Sequence, residues 1–215
     1  MTAVRRQRGA AMIELQLVAI LALLPMLFGI VQMALLASAY HLLGFAAAEA
    51  ARAGSVEHAQ SGPMTSALAA GLTGLHADLS RLSSPGETAA ELAAARLRAE
   101  VAVRQFGQIE RLAPTTADFD DFARERAGRR SIPNDALEYR AASAGPRSGH
   151  SVQEANLLRI RVRYCHELVV PLIRTMLPAL LRSWDTEPMH QRCYAANRVP
   201  LSAAGSAPMQ SEAWP

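Results

Sequence analysis

The sequence predicts an α+β protein in which a long N-terminal transmembrane helix precedes a domain of two to three helices and a small antiparallel sheet. Three observations lead to this fold class. Leu15–Ala48 contains no charged residue, although 19% of the chain is Asp, Glu, Lys or Arg. Apolar residues recur at helical spacing between Leu92 and Phe106. They alternate with polar residues between Leu158 and Cys165, as in a strand with one buried face.

The uncharged stretch is long enough to cross a membrane. Its most apolar part, Leu15–Leu36, reaches about 33 Å at about 1.5 Å per residue, against a hydrocarbon core of about 30 Å. Arg5, Arg6 and Arg8 stand before it, whereas the next charge after it is Glu49. The positive-inside rule therefore keeps the N-terminus in the cytoplasm and exports the rest of the chain as a single-pass protein.

Two other fates of this segment stay open. Ala37-Ser38-Ala39 has the A-x-A form of a signal-peptidase site, and cleavage there would release a soluble protein that begins at Tyr40. The apolar region is longer than the roughly 7–15 residues of such signals, and it begins with Glu14. A plain, uncleaved anchor is the other fate. With either one, the chain would be an exported enzyme or ligand-binding protein.

A more specific pattern lies in residues 5–14, RRQRGAAMIE. A basic leader that ends in Gly9 is followed by an apolar helix whose fifth residue is Glu14. The chain resembles the TadE-like pseudopilins of tight-adherence (Flp) pilus systems. The resemblance implies that an inner-membrane prepilin peptidase cuts after Gly9, which leaves Ala10 as the new N-terminus and the helix in the membrane.

The resemblance continues through the rest of the chain in short, spaced motifs. These are Ile132-Pro133-Asn134-Asp135 with Leu137 and Tyr139, Ser148-Gly149, residues 153–158, Val169-Val170-Pro171-Leu172, Cys193-Tyr194, and Met209-Gln210-Ser211 with Trp214.

The family resemblance implies a function in pilus assembly. We expect a minor pilin of a tight-adherence pilus or related secretion machine, anchored in the bacterial inner membrane with its C-terminal domain in the periplasm. The expected regions are a cytoplasmic leader at 1–9, a transmembrane helix at 10–39, its periplasmic continuation at 40–56 and a periplasmic α+β domain at 57–215. The implied partners are the membrane, the prepilin peptidase, other pilin-like subunits and the assembly platform.

Glu14 is the residue expected to act in assembly. An ionised carboxylate in a bilayer costs about 2.5–3.5 kcal/mol at the centre and less near the interface, so it requires a partner. In pilin-like proteins the proposed partner is the freed N-terminal ammonium of a neighbouring subunit. Alternatively, Glu14 ends the cytoplasmic flank and reaches the lipid headgroups.

The first helix is expected to run from Ala10 to Ala53, with a kink at Pro25 and a stop at Gly54. Residues 64–82 are weakly helical because two glycines interrupt them. Ser84, followed by Pro at 85 and Glu at 87, predicts the capped start of a helix that reaches residue 107.

Further elements follow in chain order. Residues 109–112 predict a short strand, Thr115 caps a short helix with two phenylalanines, and residues 124–130 form its charged, solvated tail. Strands are expected at 132–141 and 158–165, with three arginines on one face of the second that meet either solvent or an acidic or lipid partner. Gly, Ala and Pro in residues 204–208 suggest a broken final strand.

Residues 172–184 predict an amphipathic helix. Its apolar face packs on the sheet or lies on the outer surface of the inner membrane, where Trp184 and the arginines 174 and 182 suit the interface.

Cys165 and Cys193 predict one disulfide in an oxidising periplasm. The bridge would close a loop of about 29 residues and contribute roughly 3–4 kcal/mol. The alternative is a metal site that adds His166 and His190. Adjacent residues on a strand point to opposite faces, so Cys165 and His166 are poorly placed to share one ion, and we expect no metal.

Composition and missing motifs argue against other functions. The net charge is +3, and the arginines form no cluster with aromatic residues, so we expect no nucleic-acid partner. G-x-S-x-G, HExxH and a phosphate-binding glycine loop are missing from the sequence. We therefore expect no enzyme activity, no cofactor and no small-molecule substrate.

Overall fold

The computed structural model describes residues 10–81, 84–126 and 128–215. It confirms the α+β class, with one long apolar N-terminal helix and small antiparallel sheets. The chain divides into two compact units. The first contains the chain up to Ser38 and His166–Val199, and the second contains Ala39–Cys165 and Pro200–Pro215.

A π-helical turn interrupts the long N-terminal helix. Helix α1 (Ala10–Val18) continues into π-helical Ala19–Leu23 and then into α2 (Leu24–Val56). Within the turn, the N–H of Leu24 donates to the carbonyl of Ala19, five residues earlier. Pro25 follows directly. Because proline has no N–H and its ring displaces the carbonyl four residues before it, a wide turn here absorbs the disruption predicted for Pro25.

The predicted stop at Gly54 is wrong, since α2 continues to Val56. Gly54 instead permits close packing, because a Cβ there would lie 2.7 Å from Cγ of Met64 and 2.8 Å from Leu158. The helix ends at His58 and Ala59, whose φ angles are 56° and 60°. The N–H of Ala59 donates to the carbonyl of Gly54 at 2.8 Å, as in a Schellman cap.

A segment distant in sequence closes this helix end. The carbonyl of Ser55 accepts hydrogen bonds from the N–H groups of Gln210, at 2.9 Å, and Ser211, at 3.1 Å. The N–H of His58 donates to Oγ of Ser211 at 2.9 Å. The His58 ring stacks on Trp214, with centroids 3.8 Å apart. Groups that helix termination would leave unpaired are thereby satisfied.

Helices and turns surround the second half of α2. Helix α3 (Ser61–Gly71) is followed by 3₁₀ turns at Thr73–His76 and Leu79–Arg81, where only weak helicity was expected. Helix α4 (Pro85–Phe106) starts as predicted, with Oγ of Ser84 accepting from the N–H of Glu87 at 3.4 Å.

The central strand of the main sheet is the strand with the clearest sequence pattern. Strands β1 (Gly107–Ala113), β4 (Leu157–Glu167) and β5 (Arg198–Pro208) pair in the order β1-β4-β5. β1 and β4 are antiparallel, and both were predicted. The alternate residues of β4 form the middle of the core and are all buried: Leu158, Ile160, Val162 and Tyr164.

The arginine face of β4 has a partner within the chain. Arg161 and Arg163 reach Oε2 of Glu110 on the neighbouring strand β1, at 3.5 and 3.8 Å. Two of the three arginines therefore form ion pairs with the neighbouring strand, a partner that the alternating pattern did not predict.

The prediction of a broken final strand is wrong, because β5 is continuous through residues 204–208. A Cβ at Gly205 would lie 2.2 Å from the carbonyl oxygen of Ala47 in α2. The strand and the helix approach so closely that only small residues fit. The composition that argued against a strand is what this packing requires.

Helix α5 (Thr116–Phe122) has the predicted cap. Oδ2 of Asp118 accepts from N and Oγ1 of Thr115 at 2.7 and 2.8 Å, and Oδ1 lies 2.9 Å from Nδ1 of His150. Burial alone would raise the pKa of Asp118, but these hydrogen bonds hold that pKa below its usual value.

The described residues within 124–130 are exposed, as predicted, but they form strands and not a tail of α5. Strands β2 (Arg124–Arg126) and β3 (Arg129–Ser131) form an antiparallel hairpin in which Arg124 lies opposite Ser131. Both faces of this hairpin are mostly exposed, so its residues show no buried period-two pattern.

The strand expected at 132–141 is also wrong. Ile132 makes one antiparallel bridge with Ala213, but Leu137–Tyr139 is a 3₁₀ turn. Ala136 enters that turn with a φ of 51°, which an extended strand does not allow. Tyr139 is exposed, so its alternation with charged neighbours does not mark a core face. The short helix α6 (Val152–Ala155) then leads into β4.

Two helices accompany the N-terminal helix in the first unit. Helix α7 (Pro171–Arg182) corresponds to the predicted amphipathic helix. Helix α8 (Pro188–Ala195), which contains Cys193, was not predicted.

Candidate functional site

The first half of the long helix presents an apolar surface on all sides. Large side chains that are at least 39% exposed recur along it. They are Ile13, Leu15, Leu17, Val18, Ile20, Leu21, Leu23, Leu24, Met26, Leu27, Ile30, Val31, Met33 and Leu35. Soluble proteins rarely expose apolar patches beyond a few hundred Å². The helix described from Ile13 to Val56 is long and apolar enough to cross a membrane, which fits a single-pass membrane protein.

Glu14 lies at the start of this surface. Its side chain is exposed on α1, and it makes no hydrogen bond or ion pair with any residue in the described part of the chain. Ala10 is the first residue of the helix. The predicted cleavage residue Gly9 and the topology residues Arg5, Arg6 and Arg8 lie outside the described residues.

Gln32 is the buried exception on this half of the helix, with 1% of its surface exposed. Its Oε1 accepts hydrogen bonds from the backbone N–H groups of Val169, at 3.2 Å, and Val170, at 2.9 Å. Val170 is the N-cap residue of α7, and no side chain of that helix caps it. Gln32 therefore holds the backbone at the entry to α7, including the N–H of its N-cap residue, from a different helix. An amide within an apolar run was the sequence signal for this contact, and Gln16 shows the same signal without burial.

Helix α7 divides its apolar residues between two surfaces. Ile173, Leu177 and Leu181 are half-buried, whereas Leu172 and Met176 are exposed, and so are the residues that continue their row along the helix. The sequence left open whether this helix packs on the sheet or lies on the membrane. If the half-buried residues packed on the sheet, the row that contains Leu172 and Met176 would still be exposed.

A hydrogen-bonded cluster fixes the connection between α7 and α8. Oδ2 of Asp185 lies 2.6 Å from Nδ1 of His190 and accepts from the hydroxyl of Tyr194 at 2.9 Å. The N–H of Glu187 donates to Oδ1 of Asp185 at 3.0 Å. That backbone bond and then the His190 bond lower the pKa of Asp185. Desolvation and the bond to Asp185 raise the pKa of Tyr194 to about 12. This cluster stabilises a turn, and no pattern in the sequence predicted it.

The predicted disulfide is confirmed. Cys165 and Cys193 are both disulfide-bonded, and the chain has two cysteines. A zinc site at these positions would need the sulfur atoms as thiolates, so the bond excludes the alternative set with His166 and His190 in this state. Among the residues that the structure describes, no group of three or more His, Cys, Asp or Glu residues is placed to hold a metal ion.

The comparisons with known proteins agree with the N-terminal pattern. Residues 9–52 match the family model described as TadE-like protein, which confirms the resemblance over that segment. The match supports a protein associated with a tight-adherence pilus and its assembly machinery. No curated protein and no solved structure matches the chain.

Proposed function

We propose that this chain is a pilin-like subunit of a tight-adherence pilus assembly machine. In the proposed arrangement the helix that starts at Ala10 anchors it in the bacterial inner membrane, with the leader in the cytoplasm and the C-terminal domain in the periplasm. A prepilin peptidase removes the leader after Gly9. The protein then assembles with other pilin-like subunits through its helix.

The observation that carries this proposal is that the family match covers the exposed apolar part of the long helix. The TadE-like match covers residues 9–52, and the exposed apolar side chains between Ile13 and Leu35 lie within that range. A plain anchor needs only an apolar surface. The matched range includes Gly9 and Glu14, which supports assigning them to processing and assembly.

Glu14 has a specific task in this proposal. After cleavage, the ammonium of Ala10 lies four residues before Glu14, about 6 Å along the helix axis. A neighbouring subunit shifted along the axis brings its own ammonium to Glu14. The ion pair then neutralises a carboxylate that has no partner among the described residues of its own chain, in a medium where unpaired charge is costly.

N-terminal sequencing of the protein extracted from membranes tests the processing step. We expect Ala10 as the first residue in cells that contain a prepilin peptidase and Met1 in cells that lack it. Gly9→Val should leave the leader attached, whereas the control Gly29→Ala, where an added Cβ meets no atom within 4 Å, should be processed normally. Tyr40 as the first residue would show secretion with a cleaved signal peptide, and Met1 in both strains would show a plain anchor.

Piliation tests the task assigned to Glu14. Glu14→Ala should leave membrane insertion and leader cleavage intact but reduce surface pili by about tenfold, which corresponds to about 1.4 kcal/mol of assembly free energy. Gln16→Ala, a change of an exposed polar residue on the same helix, is the matched control. Pili would be counted by electron microscopy, and equal numbers in the two variants would contradict the proposed ion pair.

A further inference from the structure

Helix α7 leaves one row of large apolar side chains uncovered. Met176 is 60% exposed and Trp184 is 82% exposed, and the row follows a spacing of four residues. On the helix its members are Leu172, Met176 and Leu180; Val169 lies just before the helix, and Trp184 lies in the turn that follows it. Such a row is unstable in water, so another apolar medium has to cover it.

The hydrogen bonds to Gln32 fix the depth at which α7 begins. Gln32 follows Glu14 by 18 residues, or about 27 Å of helix, and the hydrocarbon core of a bilayer is about 30 Å thick. With Glu14 at the inner boundary, Gln32 lies at the outer one. If the span ends at Leu36, Gln32 lies about 6 Å inside that boundary. The start of α7 then lies at the level where interfacial helices bury their apolar faces, about 5–10 Å into the headgroup and acyl boundary.

The charges near α7 suit a phospholipid surface. Residues 166–199 contain four arginines against Glu167, Asp185 and Glu187, which gives this segment a net charge of +1 with His neutral. Arg174 and Arg198 both pair with Glu167. Arg182 and Arg192 are exposed and can reach lipid phosphates. Trp184 ends the apolar row, and tryptophan is enriched where a membrane meets water.

We infer that α7 is an interfacial helix, whose exposed apolar row inserts into the outer leaflet of the membrane that the N-terminal helix crosses. The inference rests on the membrane anchor of the proposed function and is independent of leader cleavage and of pilus assembly. The row starts where α7 meets the lipid-facing helix, so the two apolar surfaces enter one bilayer. Gln32 holds α7 at the depth at which its row meets lipid.

Depth-dependent fluorescence quenching tests this placement. The full chain with Trp214→Phe keeps Trp184 as its single tryptophan, and phenylalanine preserves a ring against His58. We expect its emission to shift to the blue in vesicles of phosphatidylethanolamine and phosphatidylglycerol. Lipids with a nitroxide near the headgroup should quench it several-fold more than lipids with a nitroxide at the chain end.

The matched control is Trp184→Phe, which keeps Trp214 in its stack on His58. Its emission should be insensitive to either lipid. Quenching of Trp184 by aqueous iodide but not by lipid would overturn the inference. Protection of Trp184 that rises with protein density, without lipid quenching, would also overturn it and assign the row to a second subunit. Loss of leader cleavage in cells would leave this measurement unchanged, so the two proposals fail separately.

A second variant tests the task of Gln32. Gln32→Leu keeps the helix apolar but removes the acceptor for Val169 and Val170. In the Trp214→Phe background we expect weaker lipid quenching of Trp184 and unchanged membrane insertion, whereas Gln16→Leu should change neither. Equal quenching with Gln32→Leu and Gln16→Leu would contradict the docking by Gln32.

Discussion

The two halves of the long helix share one backbone and are built for different surroundings. Between Ile13 and Met33 most side chains are large and exposed, and Gln32 is the buried residue among them. Between Ala39 and Ala51 one face is buried, and it consists of small residues and one leucine: Ala39, Leu43, Ala46, Ala47, Ala50 and Ala51. Side-chain size, rather than hydrophobicity, separates the half that faces lipid from the half that packs on protein.

The small residues of the second half permit backbones to approach. A Cβ at Gly71 of α3 would lie 2.6 Å from Cβ of Ala46, and a Cβ at Gly205 of β5 would lie 2.2 Å from the carbonyl of Ala47. A leucine at either alanine would push a whole element away. Four predictions test this contrast.

The largest effect is expected from truncating a leucine on each half. Leu43 is fully buried, so Leu43→Ala should cost about 2–5 kcal/mol through lost burial and a cavity. Leu27, on the lipid-facing half, is 56% exposed, and Leu27→Ala should cost under about 0.5 kcal/mol. Unfolding of the full chain in detergent, followed by near-UV circular dichroism, measures both. Equal losses would contradict the division of the helix.

A charge placed on each half should separate them by membrane insertion. Leu21→Arg puts a charge near the bilayer centre at a cost of about 2.5–3.5 kcal/mol, so the insertion equilibrium constant should fall by about 60- to 300-fold. Phe45→Arg changes a residue that is 60% exposed on the second half and should insert normally. Retention in carbonate-washed membranes measures insertion. Normal retention of Leu21→Arg would place the span elsewhere.

Adding one methyl group at a close approach should have an intermediate effect. Gly205→Ala forces β5 away from Ala47 and should destabilise the fold by about 1–3 kcal/mol. Gly44→Ala adds a methyl group with no atom within 4 Å, and in a helix interior it should stabilise by about 0.5–1 kcal/mol. The same denaturation assay measures the free energy of unfolding of both variants. A change of the same sign in the two would argue against a limit on side-chain size at Gly205.

Acidification should have the smallest effect, and Asp118 tests it in the second unit. The pKa of Asp118 is lower in the folded chain than its ordinary 3.8, so its stabilisation is present above that value and is lost as the pH falls through the folded pKa. The expected loss is about 1 kcal/mol, the usual contribution of a cap. Asp118→Asn should flatten this pH dependence, while the far-UV signal of the membrane helix stays constant. An unchanged slope in the variant would contradict the role of Asp118.

The sequence predicted the elements that are determined by interactions between residues close together in the chain. The caps at Ser84 and Thr115 need residues only three positions away, and the alternation in β4 records its buried face directly. The exposed apolar helix was predictable because lipid imposes one requirement along a continuous stretch.

Elements that depend on distant contacts were not predictable. β5 looks broken unless the carbonyl of Ala47 is known to lie against Gly205, and Gly54 looks like a stop unless Met64 is known to pack on it. The contact made by Gln32 in the candidate site was also not predictable from the sequence. The role of Gln32 depends on N–H groups more than 130 residues away, which no period within the helix records.

The closure of α2 has a consequence for the order of biosynthesis. A ribosome makes His58 before Ser211, and these two residues, joined by a hydrogen bond, are 153 positions apart. The carbonyl of Ser55 therefore bonds to water until nearly all of the described chain has been made, when the N–H groups of Gln210 and Ser211 replace that water. Until then the end of the long helix has only its local bond from Ala59 to Gly54, and the segment around Trp214 completes it.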